Sequence, residues 1–456
     1  MFSRKILQTL RHWKNTSDRK PLILRGARQV GKTTAVKLFS TEFENYIYLN
    51  LELKGDRDLF TEGLSIKEIF QAILVIKNIH LKNGRTLLFI DEIQNSPVAV
   101  KMLRYFYEEM TDLFVIAAGS LFELMLERSQ ISFPVGRVQF AYLYPLTFEE
   151  FLEATREEQL LEVYRATPVK AFAVAKLFEC FHRYTMIGGM PEIVKQYSEN
   201  SDVPSLKTKY ESLLTSYLDD ADKYARNPAM RQVLRHCLES IPFEAGKRIK
   251  LQGFGNSNYR SREVGEALRT IERAMLINLI YPTTSLQLPL VADLKKSPKL
   301  QFIDTGLLNY FVGLQPMFFQ YADLHSIYKG LIAEHIARQE LIAQNTDDNK
   351  KILFWVREKK QSNAEVDILL PYKSYAIPVE VKSGKSGPLR SLHQFVNESS
   401  HPYAVRLYEG SFDIAEARTP EGKPYKLLSL PYFLAGKIHD YLDLLIKPSP
   451  DDESSG

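Results

Sequence analysis

The sequence predicts an α/β protein in which a parallel sheet covered by helices carries a phosphate-binding loop, followed by helical and second α/β modules. Three observations predict it. Short apolar runs alternate with helical-period segments over residues 21 to 120, the pattern of a parallel sheet covered on both sides. A glycine-rich loop stands between one such run and a helix. Near the C-terminus, three β-rich stretches carry two acids and a lysine whose spacing lets them converge.

In chain order, PLILRG from Pro21 reads as a strand that enters the loop, and AVKLFSTEF leaves it with helical spacing. YIYLNLE is a second strand, and TLLFIDE (86 to 92) and FVIAAGS (114 to 120) are two more. Between them VAVKMLRYFYEEM gathers its larger apolar groups on one helical face. Residues 150 to 240 are expected to be largely helical, with the aromatics of LLEVY, LFECFHRY and LLTSYL serving as core. A mixed-charge helix and apolar strands follow in 257 to 284. Its arginines Arg260, Arg262, Arg269 and Arg273 fit either phosphate contacts or an ordinary solvated face.

The loop, GARQVGKTT, consists of Gly26, Ala27, Arg28, Gln29, Val30, Gly31, Lys32, Thr33 and Thr34 and matches G-x-x-x-x-G-K-[ST]. Its backbone N–H groups would face phosphates at a helix N-terminus, Lys32 would reach the β and γ phosphates, and the Thr33 hydroxyl would ligate magnesium. LLFIDE delivers Asp91 and Glu92 to the C-terminal end of a strand, the edge where open α/β sheets bind ligands. Asp91 is expected in the magnesium shell, and Glu92 is expected to orient the attacking water. Without the glycine loop the acidic pair would read as a helix cap. With it, the two motifs imply ATP hydrolysis with Mg2+.

The distal segment runs as helix (KGLIAEHIARQELIAQ), three β-rich stretches (KILFWVREKK, AEVDILLPY, YAIPVEVKSG), helix (LRSLHQFVNES) and strand (HPYAVRLYE). Asp367 lies in the second β stretch. Glu380 and Lys382 alternate around Val381 in the third, so both project from one face. Two carboxylates can hold a magnesium ion, and a lysine beside them can position or deprotonate a water that attacks phosphorus. Glu334 is a further candidate for the metal shell, and Gln394 for contact from the next helix.

At this point the chain resembles the bacterial AAA-type ATPases that join an N-terminal P-loop domain to a C-terminal restriction-endonuclease-like PD-(D/E)xK domain. The resemblance rests on GARQVGKTT, NLE, LLFIDEIQ, AAGS, PVGRV, YPLTFEEF, GGMPE, FIDTGLL, EVDILLP and PVEVKSG. It implies a P-loop AAA-type domain over 1–150, a helical lid over 151–225 and a winged-helix-like module over 226–295. A restriction-endonuclease-like domain over 296–445 and a disordered tail over 446–456 complete the expected order. By resemblance Ser120 is the polar sensor of the γ-phosphate. Arg137 is the arginine that completes a nucleotide site, its own or a neighbour's, or else a plain surface arginine. The proline that usually precedes the aspartate of the PD-(D/E)xK pattern is replaced here by Glu365-Val366. The resemblance further implies nucleic acid, with DNA favoured, as a partner and a possible homo-oligomer; no protein partner is identified.

Composition bounds these readings. At 456 residues, with 45% hydrophobic and 25% charged residues, the chain has the balance of a globular protein of about three domains. A net charge of +4 permits a nucleic-acid partner without demanding one. Cys180 and Cys237 form neither a CxxC pair nor a zinc-ligand spacing, which fits a reducing cytoplasm. MFSRKILQTLRHWKN lacks the apolar core of an export signal, and the uncharged stretch 274 to 292 is broken by Asn, Pro, Gln and a Thr-Thr-Ser cluster, so no membrane span is expected. Three functional readings stay open: an ATPase coupled to nucleic-acid cleavage, an ATP-driven switch whose distal domain only grips, and a protein-remodelling or signalling ATPase.

Overall fold

The computed structural model describes residues 2–119, 136–315, 331–347, 351–359 and 362–446. The first sheet holds β1 (Leu22–Arg25), β2 (Asn45–Asn50), β3 (Thr86–Asp91), β4 (Leu113–Ala118) and β5 (Gln139–Tyr142) in the order β2-β3-β4-β1-β5. Every neighbouring pair is parallel. All four residues of β1 are buried, as a strand covered on both faces requires. Because β1 sits between β4 and β5, the loop that follows it opens at a point where the strand order reverses. The helices Lys32–Phe39 and Pro97–Glu109 pack on this sheet, the latter started by a Ser96 cap and a proline in its first turn.

The helical region follows with Phe148–Ala154, Val174–Ile187, Lys207–Tyr224 and Pro228–Glu244 among its longer members. Its aromatics are core as expected: Phe148, Phe181 and Tyr184 are fully buried and pack on one another. After the helix Ser261–Arg273, β6 (Ile277–Ile280) pairs antiparallel with β8 (Lys299–Phe302) as a two-stranded ribbon, while β7 (Pro282–Thr283) joins the distal sheet. Strands thus cross the expected boundary at 295 in both directions.

The distal sheet runs β13-β14-β12-β11-β10-β9-β7, with β9 (Leu353–Lys359), β10 (Ser362–Tyr372), β11 (Tyr375–Val381), β12 (Tyr403–Tyr408), β13 (Asp413–Arg418) and β14 (Pro424–Pro431). It is mixed: β9-β10-β11 are antiparallel, whereas β11-β12 and β12-β14 are parallel. The segment after β14 turns back on the helical region, where the Phe433 ring meets Phe148 and Phe178. One apolar core therefore runs from Ile6 to Ile446 through all the modules. Among the described residues, no helix is long and apolar enough to cross a membrane.

Three of the quoted motifs meet in this core as a structural knot. The Asp304 carboxylate of FIDTGLL accepts the backbone N–H of Gly189 at 2.6 Å and of Leu307 at 3.0 Å. Leu146 of YPLTFEEF donates to the Gly189 carbonyl at 2.7 Å. A Cβ at Gly306 would lie 1.8 Å from the Ile187 carbonyl oxygen, so only glycine fits there. Burial pushes the Asp304 carboxyl up to about 6 against those N–H donors. These residues join the helical region to the strand ribbon and touch neither candidate site.

Candidate functional site

The strand β1, the loop 26–31 and the helix from Lys32 form the strand-loop-helix unit that a phosphate cradle needs. A Cβ at Gly26 would sit 2.4 Å from the Leu143 carbonyl oxygen, which fixes glycine at the loop's entrance. Lys32, 7% exposed, folds back and donates to the carbonyls of Gly26 at 3.0 Å and Ala27 at 2.9 Å. Burial pushes its ammonium down to about 8, opposed by the nearby Glu92 and Asp91 carboxylates. An ammonium so placed is paired within its own loop.

Thr33 Oγ1 donates to Asp91 Oδ2 at 2.7 Å, so the hydroxyl and carboxylate expected in the magnesium shell are adjacent. That donor set, one hydroxyl and one carboxylate, fits a divalent ion of magnesium type. Glu92 follows with a left-handed backbone, φ 53°, and accepts from Gln94 Nε2. Gln94 is thus a residue of this site that sequence reasoning missed.

The register of β5 on β1 pairs Leu22 with Gln139 and Arg25 with Tyr142. Arg137, two residues before Gln139, therefore stands at the sheet edge opposite the loop. It pairs there with Glu108 at 3.0 Å. This placement sets Arg137 away from its own ATP loop. Ser120 lies outside the described residues.

Two further elements hold the loop. The Arg4 guanidinium bridges the Val30 carbonyl at 3.0 Å, the Tyr144 carbonyl at 2.6 Å and Glu150 at 3.0 Å, tying the loop to the helix Phe148–Ala154. From the helix Lys207–Tyr224, Asp220 receives Arg28 at 2.6 Å and Tyr217 donates to the Arg28 carbonyl at 3.2 Å. The loop is thereby clamped from the N-terminus and from the helical region.

In the distal sheet the register of β10 on β11 pairs Ile368 with Val379, which makes Asp367 and Glu380 the next positions along the two strands. Asp367 Oδ2 accepts the Val381 N–H at 2.8 Å, and Lys382 Nζ donates to Glu380 Oε1 at 2.6 Å. Glu380 is 6% exposed and its Oε2 has no hydrogen-bond partner. Burial, then the neighbouring Asp367, pushes the Glu380 carboxyl up to about 7. The three groups stand together as the alternation of the strand requires.

Glu334 is placed differently. Its carboxylate, on the helix Leu331–Ala343, accepts Lys299 Nζ at 2.5 Å and faces the buried Arg338 guanidinium. Lys299, reaching in from β8, also meets Glu365 at 2.6 Å and lies 3.8 Å from Asp367 Oδ1. A buried ammonium therefore stands among the carboxylates of the site. Asp367 and Glu380 still offer oxygens that fit a divalent ion; Glu334 is taken up by two cations. Among the described residues no group of three or more His, Cys, Asp or Glu side chains is arranged to hold a metal. Gln394 donates along its own helix to Glu398 at 3.3 Å.

Residues 18–152 match the family model of an AAA domain. Residues 179–317 and 329–425 match two domains of unknown function, DUF8612 and DUF4143. With the strand-loop-helix geometry, the first match makes the N-terminal part of the chain a P-loop ATPase of the AAA type. Among solved structures, a Walker-type ATPase of Pyrococcus abyssi is similar at 15% identity, over 68% of this chain and 96% of that one, with a TM-score of 0.43. The RuvB Holliday junction branch migration motor of Thermotoga maritima is similar at 16% identity, over 64% and 93% of the two chains, with a TM-score of 0.28. The Orc1 protein of Aeropyrum pernix, solved in complex with DNA, is similar at 13% identity, over 70% and 92%, with a TM-score of 0.27. No curated protein matches the chain.

Proposed function

We propose that this ATPase acts on nucleic acid, with DNA favoured, through a restriction-endonuclease-like C-terminal domain whose working groups are Asp367, Glu380 and Lys382. The observation that carries the proposal is the buried, partnerless Oε2 of Glu380 beside Asp367 and Lys382. An acceptor oxygen left unpaired in the interior costs free energy unless it has a task, and a cation-bound phosphodiester supplies one.

At the nucleotide site the backbone N–H groups of residues 27–34 take the phosphates of ATP. Lys32 gives up the two loop carbonyls and turns to the β and γ phosphates, while Thr33 and Asp91 hold magnesium and Glu92 orients the attacking water. Ser120 senses the γ-phosphate, and Arg137 reaches the site of a neighbouring copy in a homo-oligomer. Magnesium, when bound, neutralises charge that develops on the phosphate oxygens. At the distal site Asp367 and Glu380 hold the divalent ion and Lys382 positions or deprotonates the attacking water. The test is Mg2+- or Mn2+-dependent cleavage of DNA and RNA, single- and double-stranded, by the wild type and by Asp367→Asn and Glu380→Gln. Both variants should lose cleavage and keep ATP hydrolysis.

A second reading has its own observation. Lys299 among Glu334, Glu365 and Asp367 supplies a fixed positive charge where a metal would otherwise be drawn. In that reading the domain grips the nucleic-acid backbone without cutting it, and binding falls steeply with salt while no cleavage occurs.

A further inference from the structure

Two arginines hold the ATP loop, and they are used differently. Arg4 commits all three guanidinium nitrogens to the protein: Nε to Glu150, Nη1 to the Val30 carbonyl and Nη2 to the Tyr144 carbonyl. Arg28, inside the loop itself, commits one, with Nη1 donating to Asp220 Oδ1 at 2.6 Å. Among the described residues its Nε and Nη2 have no hydrogen-bond partner. The Arg28 side chain is 38% exposed, whereas Asp220 is buried. The Nε–Nη2 edge, the fork that matches two oxygens of a phosphate, is therefore open.

The place of that guanidinium is set from both sides. Lys32 Nζ rests on the carbonyl of Ala27, the residue before Arg28, at 2.9 Å, and the backbone turns left-handed at Gln29, the residue after, with φ 65°. From the helix Lys207–Tyr224, Tyr217 donates to the Arg28 carbonyl at 3.2 Å and Ser216 Oγ accepts from Gln29 Nε2 at 3.4 Å. Asp220, three residues after Tyr217 and so on the same helical face, takes the side chain. Burial opposes the Arg28 charge, and the Asp220 hydrogen bond with the Asp220 and Glu92 carboxylates more than offsets it. Arg28 also adds to the burial that lowers the Lys32 ammonium. The guanidinium is thus within electrostatic reach of the lysine and the acid expected at the γ-phosphate.

As the γ-phosphoryl group is transferred, its oxygens gain stabilisation from a cation already fixed beside them. We infer that Arg28 is a catalytic arginine that the chain supplies to its own ATP site, its Nε–Nη2 edge taking oxygens of the γ-phosphate, and that Asp220 is the positioning residue that holds it there. The inference rests on ATP hydrolysis at this loop and adds a group that needs no neighbouring copy. Asp220 keeps its bond to Nη1 while the other edge faces the phosphate, so the arginine is in place before the chemical step. Hydrolysis then depends on how the helix Lys207–Tyr224 seats against the loop.

The test combines phosphate release at saturating ATP with calorimetric binding of ADP, both with Mg2+ and full-length protein. Arg28→Ala should lower kcat at least about 100-fold and leave ADP affinity within about threefold of wild type, because ADP lacks the group that Arg28 touches. Arg28→Lys keeps the charge without the fork and carries the test should the alanine variant fold poorly, with a loss in kcat of about tenfold. Asp220→Asn should lower kcat at least about fivefold in the wild type and cause no further loss in Arg28→Ala, as expected of a residue that acts through Arg28. Turnover by Arg28→Ala within about twofold of wild type overturns the inference, as does a fall in ADP affinity as large as the fall in kcat, which would make the pair a structural clamp. An equal loss from Asp220→Asn with and without Arg28 overturns the positioning role. A wild type that binds ADP but releases no phosphate from ATP overturns the hydrolysis reading itself, and the inference with it.

Discussion

Replacing Lys299 with Met removes an ammonium shared by Glu334, Glu365 and Asp367 while keeping an apolar stem near the Phe354 ring, which lies 5.0 Å from Nζ. Breaking a buried ion pair from one side costs about 3–5 kcal/mol, because the remaining charge is left without compensation. Here Arg338 still faces Glu334, and Arg248 lies 3.8 Å from Glu365, so the lower end, about 3 kcal/mol, applies. The chain has 2 tryptophans, and Trp355 on β9 is 1% exposed in the core beside the site. In a Trp13→Phe background, urea unfolding can be followed by the fluorescence of Trp355 in the core of the distal sheet. With a slope of about 2 kcal/mol per molar urea, the midpoint should fall by about 1.5 M. Because the variant leaves carboxylates facing one another without that cation, millimolar Mg2+ should recover more of the loss in Lys299→Met than it adds to the parent. A midpoint within about 0.3 M of the parent refutes the reasoning, since the ammonium would then hold nothing together.

Other consequences are separable. Lys32→Ala should abolish most ATP hydrolysis in a phosphate-release assay, a loss on the order of several kcal/mol of transition-state stabilisation, whereas Glu92→Gln should still bind ATP and turn it over slowly. Hydrolysis by Lys32→Ala at the wild-type rate would remove the nucleotide assignment. A non-hydrolysable ATP analogue should promote self-association in light scattering, and Arg137→Ala should lower hydrolysis without lowering analogue affinity; a chain that stays monomeric with normal Arg137→Ala turnover contradicts the shared site. Burial holds the Glu340 carboxyl up at about 7 from 4.5, so the folded state retains a proton that the unfolded state releases. Its contribution is fully present below about pH 4.5 and is lost as pH rises through about 7, a difference on the order of 3 kcal/mol. Glu340→Gln, which keeps an acceptor for the Phe148 N–H and the Tyr184 hydroxyl, should flatten that part of the stability profile; an unchanged slope would show that the group does not govern it.

What the sequence made legible was local. The ATP loop is contiguous, and its strand-loop-helix setting follows from residues 21 to 40, so the adjacency of Thr33 to Asp91 needed only the two strand ends. Glu380 and Lys382 were legible because a strand alternates with a period of two. The partners that clamp these groups were not. Arg28 meets Asp220 across 192 positions, and Lys299 reaches Glu334 from a strand paired with β6, beyond the reach of any periodic pattern. The two-residue β7 is too short to carry a period, which is why the expected boundary at 295 missed the exchange of strands. Asp304, Gly189 and Leu146 stood out as motifs, and only their hydrogen bonds show that they hold the modules together.

The proposed division of labour is tested most directly by one measurement on purified full-length protein with ATP, Mg2+ and matched linear, circular and single-stranded DNA and RNA, reading phosphate release and backbone cleavage in the same tube. The account predicts ATP hydrolysis that requires Lys32, and Mg2+-dependent cleavage that Asp367→Asn and Glu380→Gln each abolish while phosphate release continues. Cleavage that survives unchanged in Glu380→Gln, or a wild type that hydrolyses ATP yet cuts none of these nucleic acids, contradicts it.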